Sequence, residues 1–295
     1  MDDITTVYCS VDDFWITFKE EWNKHLIELG KSDRGPDPIL SPSEMMTIFI
    51  LFHQSNYRTF KHFYLGYVCT HLTKEFPKLI SYSRFVHLMK NLIIPLFAYL
   101  LQYRGEVTGI SFIDSTKLQV CHNKRIPRNK VFKKIAKRGK TTAGWFYGFK
   151  LHLIINDKGE ILSFLLTPGN VADVAMTEQL VQGITGKLFG DKGYISSKIA
   201  TKLLEKGVQL FTTLRSKMKQ KLMPLLDKIL LRKRVLIETV NDQLKNISQI
   251  EHSRHRSVAN FAVNVLGGLA AYMLKPNKPS LKLEDLEQLP FLAMI

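Results

Sequence analysis

The stretch Val107–Asp114, VTGISFID, decides the fold of the longer part of this chain. It is short, apolar and rich in β-branched and aromatic residues, which predicts a β-strand. A charge that directly follows the apolar residues Phe112 and Ile113 is expected to emerge at the edge of a sheet rather than inside it. We therefore predict a strand that brings Asp114 to a sheet edge.

The residues after this strand predict a mixed sheet. Residues 149–169 contain two strand-like runs joined by Asn156-Asp157-Lys158-Gly159, whose composition is typical of a hairpin turn. The pattern then predicts a helix at 174–184, a strand at 187–190, a helix at 196–206, a strand at 208–214, and helices at 224–249 and 258–274. Three consecutive strands followed by alternation predict an α/β fold, a mixed sheet with flanking helices. This order is similar to that of ribonuclease-H-like nucleases and integrases.

The first hundred residues predict a helical region. A helix start is predicted at Ser41-Pro42-Ser43-Glu44, where a hydroxyl can cap the helix and an acid favours its positive end. Basic and aromatic residues are interleaved between Tyr57 and Tyr67, which suits either a helix-turn-helix-like DNA reader or a helical scaffold. We predict an all-helical, DNA-binding N-terminal domain at 1–104, a catalytic domain at 105–275 and a C-terminal tail at 276–295.

The chain is strongly basic, with 42 Lys and Arg against 26 Asp and Glu and a formal net charge of +16. This balance favours a polyanionic partner such as nucleic acid. The segment Ser115–Lys150 carries eleven basic residues and no acid. Its candidates for contact with the DNA backbone are Lys133, Lys134, Lys137 and Arg138.

The rest of the composition argues against several other classes of protein. Cys9, Cys69 and Cys121 are odd in number and far apart, which disfavours a zinc site or a disulfide framework and favours a reducing cytoplasm. The first residues lack a signal-peptide pattern, and the apolar stretches are too short to span a bilayer. We therefore expect no membrane partner.

Two aspartates are candidates for chemistry because each follows a predicted strand. They are Asp114 and Asp191, and the second is flanked by Gly190 and Gly193, which permit a tight turn and a close approach by a phosphate. An Asp at a strand end is usually part of an ordinary turn or helix cap, so neither residue is decisive alone.

Glu238 lies on a predicted amphipathic helix. With about 3.6 residues per turn, the helix gathers a polar stripe of Arg234, Glu238, Asp242 and Lys245, and an opposite apolar face of Leu236, Val240, Leu244 and Ile247. The stripe can face a cleft, or it can be a solvated surface with an ordinary Arg–Glu pair.

Three carboxylates in a basic chain suit metal-dependent chemistry on nucleic acid. Mg²⁺ and Mn²⁺ prefer oxygen ligands, and two such ions about 4 Å apart can activate an attacking water or 3′-hydroxyl and stabilise the leaving oxygen. Acids crowded together without cations would raise each other's pKa. We predict that Asp114, Asp191 and Glu238 hold two divalent metal ions.

The chain resembles the DDE transposases of bacterial insertion sequences, and most resembles the insertion-sequence 982 family. The resemblance rests on SPSEMMTIFILF at 41–52, FIDSTK at 112–117, TPGNVAD at 167–173, GDKGY at 190–194 and the helix that bears Glu238. It implies a ribonuclease-H-like fold, two-metal catalysis by the three acids, and recognition of terminal inverted repeats.

The resemblance also suggests contacts to DNA near the cut. Arg234 and Lys245 stand at the spacing of the family's Tyr-Arg-Glu-Lys signature, which makes them candidates for contacts to phosphates, and Lys192 is a further candidate beside the second acid. Leu231 occupies the tyrosine position, so the role of that tyrosine is not transferred.

The sequence thus predicts a transposase that cleaves double-stranded DNA at terminal inverted repeats and transfers the strand to target DNA. It is expected to act as a homodimer in the bacterial cytoplasm, at the nucleoid. Two alternatives stay open: a structure-specific nuclease or resolvase on the same fold, and a non-catalytic DNA-binding protein derived from a transposase.

Overall fold

The computed structural model describes residues 3–28, 38–142, 144–213, 222–251 and 255–283. The chain forms two compact units, one of Met1–Tyr103 and Gln243–Lys275, the other of Arg104–Asp242 and Pro276–Ile295. The sequence had assigned residues 243–275 to the catalytic domain, whereas in the structure they cluster with the N-terminal helices. The predicted C-terminal tail is described as far as residue 283.

The N-terminal part of the first unit is helical. Its elements are α1 (Ile4–Glu28), α2 (Pro42–Gln54), α3 (Phe60–Phe63), a π-helical turn (Tyr64–Val68), α4 (Cys69–His71), α5 (Tyr82–Leu88), a 3-10 turn (Met89–Leu92) and α6 (Ile93–Gln102). The predicted start of α2 is confirmed. Ser41 Oγ accepts a hydrogen bond from the Glu44 amide at 3.1 Å, and Glu44 Oε2 accepts one from the Ser41 amide at 2.6 Å.

The second unit contains one six-stranded sheet. Its strands are β1 (Ile110–Cys121), β2 (Lys137–Thr141), β3 (Gly144–Asn156), β4 (Ile161–Pro168), β5 (Gly186–Gly190) and β6 (Val208–Thr212). The order is β2-β3-β1-β5-β6, and β4 also pairs with β3. β1, β2 and β4 pair antiparallel with β3, whereas β5 joins β1 and β6 joins β5 in parallel. The predicted hairpin is confirmed, and the mixed sheet is consistent with a ribonuclease-H-like fold.

Helices flank this sheet. They are α7 (Thr177–Leu180), which follows a 3-10 turn at Asp173–Met176, then α8 (Ser197–Glu205) and α9 (Leu225–Arg232). The helix α10 (Val235–Asn246) follows α9 in the chain. A buried apolar layer joins α7 and α8 to the sheet, through residues such as Leu180, Leu203 and Ile113. The helix predicted at 224–249 is in fact two helices, which are separated at Lys233 and Arg234.

The last described helix, α11 (Val258–Met273), explains why residues 243–275 join the first unit. It is apolar on all sides and packs against α2 and α6. The approach to α2 is close, because a Cβ at Gly267 would lie 2.6 Å from Phe49 Cδ1. Its one buried amide side chain is satisfied, since Asn264 Nδ2 donates to the Ile250 carbonyl at 3.1 Å. A helix without a polar face is stable only when it is covered all round.

Within the described ranges, the helical run Tyr82–Gln102 is the one segment whose length and hydropathy reach those of a membrane span. Core helices pass the same test, and several large side chains of this run, among them Phe85, Leu96 and Tyr99, are fully buried in the first unit.

Candidate active site

Asp114 and Asp191 each follow the paired segment of two neighbouring parallel strands, β1 and β5. β1 and β5 pair from Ile110 opposite Lys187 to Phe112 opposite Phe189. Extended by two residues, this register would set Asp114 opposite Asp191, which directly follows β5. β1 does not end at Asp114 as the sequence suggested, because it continues to Cys121 as the partner of β3. Asp114 instead lies just beyond the end of the pairing with β5.

The Asp114 carboxylate is largely buried, with 19% of its side chain exposed. Asn241 Nδ2, from α10, donates to its Oδ2 at 3.1 Å, and Arg234 Nη1 lies 3.9 Å from its Oδ1. Burial raises the pKa of Asp114 to about 6, the charges of Asp191 and Glu238 act in the same direction, and the guanidinium opposes them. The three predicted acids therefore interact electrostatically.

Arg234 links two of these acids. Its Nη2 donates to Glu238 Oε1 at 2.5 Å, while its Nη1 faces Asp114. The break between α9 and α10 puts Arg234 immediately before α10, one turn ahead of Glu238. Glu238 is half exposed, so this pair contributes little to stability. The consequence is electrostatic: one guanidinium provides a positive charge to two carboxylates.

Asp191 also caps the turn that follows β5. Its Oδ1 accepts a hydrogen bond from the Gly193 amide at 2.7 Å, at the start of the 3-10 turn Lys192–Tyr194. A Cβ at Gly193 would lie 2.8 Å from Asp191 Oδ1 and 3.7 Å from Asp173 Oδ2. The missing side chain at residue 193 therefore leaves a narrow space bordered by two carboxylates, the second of which was not predicted.

Asp173 is a fourth acid, at the end of the TPGNVAD motif. Its Oδ1 accepts hydrogen bonds from Ser115 Oγ at 2.7 Å and from Lys150 Nζ at 2.9 Å. His152 Nδ1 lies 3.8 Å away, but burial lowers the pKa of His152 to about 4, so the imidazole is neutral at pH 7. Lys150 is therefore the cation of this cluster. Because Ser115 directly follows Asp114, the cluster also anchors β1 beside the first acid.

The Tyr194 side chain is buried close to the acids that follow the two strands. Burial raises the pKa of Tyr194 well above its ordinary value, and the charges of Asp114, Asp173 and Asp191 raise it further. Three carboxylates thus act on one buried hydroxyl. The charges of these three acids thus reach Tyr194, and Arg234 connects Glu238 to Asp114. Asp173 could have been found from the sequence, since its motif was part of the family resemblance, whereas Asn241 and Lys150 left no such signal.

The other predicted residues lie in different surroundings. Lys245, near the end of α10, pairs with Glu251 at 3.3 Å, which the sequence did not predict. Lys192 is exposed in the turn after Asp191, and the basic residues Lys133, Lys134, Lys137 and Arg138 are all exposed. On α10, Leu236, Val240 and Leu244 are buried as predicted. Ile247 is not: it is half exposed beyond the helix end, and the fully buried Ile237 completes the apolar face.

The oxygen donors of this site fit a divalent cation. Asp114 and Asp191 offer carboxylates, and the side-chain oxygen of Asn241 is buried without a hydrogen-bond partner in the described part of the chain. A cation would also offset the charges that raise the pKa of Asp114. Across the described ranges no three His, Cys, Asp or Glu side chains are spaced to hold one ion, and Glu238 is paired with Arg234.

Replacing Asp114 with asparagine is expected to stabilise the protein when divalent cations are absent. Its folded-state pKa is raised from 3.8 to about 6, so its ionisation destabilises the fold as pH rises through this window and above it. The amide keeps an oxygen that can accept from Asn241. We expect a gain of about 1–3 kcal/mol at neutral pH that disappears near pH 4. Urea unfolding in EDTA at both pH values measures it, and an equal effect at both would contradict the assigned cause.

The fold and the acids that follow the parallel pairing of β1 with β5 define a ribonuclease-H-like protein with a candidate metal-dependent active site. The family model described as "Transposase DDE domain" matches residues 104–258, which is just over half of the chain, and the chain belongs to this family. A search of curated proteins finds no match.

Proposed function

We propose that this protein is the transposase of an insertion sequence, most similar to the 982 family, which cleaves DNA at terminal inverted repeats and joins the freed 3′-hydroxyl to target DNA. Membership of the family supports transposase chemistry in general. One observation supports the proposal most: Asp114 and Asp191 follow the paired segments of the adjacent strands β1 and β5, and Arg234 contacts both Asp114 and Glu238.

Each acid has a role in this proposal. Asp114, Asp191 and Glu238 are the ligands of two divalent ions, Mg²⁺ or Mn²⁺. When bound, such ions supply an activated nucleophile and stabilise the leaving oxygen. Asn241 orients Asp114 through its amide hydrogen bond. Arg234, which is 19% exposed, balances the charge of two acids and contacts a phosphate of the DNA.

The other predicted residues are proposed to contact the DNA backbone outside the active site. We assign backbone contacts to Lys192 and to the exposed basic residues of the segment Ser115–Lys150. Lys245 is a further candidate, although its present partner is Glu251. The helical unit contributes to recognition of the terminal repeats. The protein acts in the cytoplasm as a homodimer, because two element ends must be held together.

Neutralising four of the basic residues should flatten the salt dependence of DNA binding. In the variant with Lys133, Lys134, Lys137 and Arg138 all changed to Gln, the slope of log K against log salt should lose about 3–4 units, since each phosphate contact contributes about 0.9. Fluorescence anisotropy with a duplex over a range of salt concentrations measures this slope. Lys198→Gln, at an exposed position on α8, is the control and should leave it unchanged. An unaltered slope in the quadruple variant would place the DNA elsewhere.

The proposed reaction is tested with DNA that carries the sequences flanking the coding region. Purified protein is incubated with Mg²⁺ or Mn²⁺ and a labelled fragment with these ends, and strand cleavage and joining are followed on denaturing gels. We expect cleavage at the ends, abolition by EDTA and competition only by DNA with the same ends. Equal cutting of branched DNA without these ends would favour a structure-specific nuclease. Specific binding with no cleavage in either metal would favour a non-catalytic DNA-binding protein.

A further inference from the structure

Trp145 is the most exposed aromatic side chain among the described residues, with 61% of its surface accessible. It lies at the start of β3, opposite Lys140 of β2. The Lys140 ammonium stands 5.7 Å from the centre of the indole ring. Tryptophan is usually well covered in folded proteins, so an indole of this exposure suggests a partner.

The backbone that carries Trp145 is held in place. Asn123 Nδ2 donates to the Trp145 carbonyl at 2.8 Å, and the next residue, Phe146, is buried. The phenyl ring of Phe146 packs closely against Gly139 of β2, because a Cβ at that glycine would lie 2.6 Å from Phe146 Cε1. The indole is thus presented by a packed strand, so little conformational entropy is lost when it binds.

The segment that precedes Trp145 in the chain is uniformly basic, and its Lys140 lies beside the indole. Nine exposed Lys and Arg side chains lie between residues 124 and 140, and none of them forms an ion pair with a described residue: Lys124, Arg125, Arg128, Lys130, Lys133, Lys134, Lys137, Arg138 and Lys140. No acid occurs between Ser115 and Lys150. The chain has a net charge of +16. Repulsion between like charges therefore disfavours a second copy of this chain as the partner that covers the indole.

We propose that Trp145 is a stacking platform for an unpaired nucleobase of the DNA that follows this basic segment. Every base has a π-face that can lie on an indole, and the surrounding cations attract the adjacent phosphates. In this arrangement Lys140 attracts the phosphates by its charge, and Trp145 adds a stacking contact with the base that does not depend on charge. The proposal rests on the proposed DNA-binding function and adds a preference for single-stranded or distorted DNA.

The test compares binding of a labelled single-stranded oligonucleotide and a fully paired duplex, without divalent metal, at several salt concentrations. Trp145→Ala should weaken single-strand binding about 5- to 150-fold, as expected for loss of one stacked base. Duplex affinity should change less than about twofold, and the salt slope should stay constant. Trp145→Phe should retain most of the affinity. Lys140→Ala should instead reduce the slope by about one unit.

Two controls separate the possible failures. Val131→Ala, at another exposed apolar position in the basic segment, should leave both affinities unchanged, and circular dichroism checks the fold of each variant. Equal losses on both DNAs, a changed salt slope in Trp145→Ala, or no loss would overturn the stacking role. If the wild type binds neither DNA, the DNA path itself is wrong. The binding assay contains no metal and therefore does not depend on cleavage. If the protein failed to cleave DNA in the separate assay with Mg²⁺ or Mn²⁺, the proposed reaction would be refuted, but the binding result for Trp145 would still stand.

Discussion

Replacing Asp191 with asparagine is expected to abolish DNA cleavage while the protein stays folded. The side chain has two roles, and the substitution separates them. An amide oxygen can still accept the hydrogen bond from the Gly193 amide, so the cap of the turn survives. The lost negative charge removes a ligand of the proposed metal ions. Loss of several kcal/mol of charge stabilisation corresponds to a decrease in rate of about 10³-fold or more.

The assay is single-turnover cleavage of the end-bearing fragment in Mg²⁺ and in Mn²⁺. Glu205→Gln, an exposed acid at the end of α8, is the matched control and should cleave at the wild-type rate. Duplex binding in EDTA should be equal or slightly tighter in the Asp191 variant, because a negative charge near the DNA has been removed. A cleavage rate within tenfold of wild type would show that Asp191 is only a turn cap.

Replacing Lys150 with methionine should give the largest loss of stability among the charged residues around the site. The Lys150 side chain is 12% exposed, and its ammonium lies 2.9 Å from Asp173 Oδ1 and donates to the Val171 carbonyl at 3.0 Å. Without it, Asp173 is left without a cation near Asp191. Losing one member of a buried pair costs about 3–5 kcal/mol, and the partial exposure of Asp173 lowers our expectation to about 2–4 kcal/mol.

Urea unfolding of a double-mutant cycle measures the interaction. Lys150→Met combined with Asp173→Asn should be more stable than Lys150→Met alone, because no unpaired charge remains. The contrast is Lys202→Met, which breaks an equally short ion pair, Lys202 with Glu178 at 2.9 Å, whose side chains are 43% and 37% exposed. That change should cost less than about 1 kcal/mol. If the two lysine variants lose equal stability, Lys150 and Asp173 behave as a surface pair.

Local sequence patterns predicted the elements well wherever the determining contacts are local. The capping box at Ser41 and Glu44 is an interaction across three residues, and the hairpin at Asn156–Gly159 depends on the preferences of the turn residues themselves. The break before α10 was missed, because Lys233 and Arg234 are both good helix formers and the interruption is not encoded in their propensities. The strand β1 was predicted too short, since its extension depends on pairing with β3.

The acids show the same distinction. Their positions after Phe112, Phe189 and Arg234 could be read from the chain, and the family resemblance selected them. The motif of the resemblance marks the position of Asp173, but its contacts could not be derived from the sequence, because its partners Ser115 and Lys150 are 58 and 23 residues away. Long-range contacts of this kind depend on strand register and on burial.

The sequence by itself determined the α/β class of the second unit, the basic segment expected to contact nucleic acid, and the three candidate carboxylates. Composition and periodicity are properties of the chain alone. Only the tertiary structure decided that Asp114 and Asp191 follow the paired segments of adjacent strands and that Arg234, the partner of Glu238, also faces Asp114. It also decided that Asp173 and Lys150 complete the cluster and that α11 belongs with the N-terminal helices. These outcomes depend on which distant segments pack together. The packing is selected because it buries apolar surface and pairs buried charges, and both are properties of the whole fold.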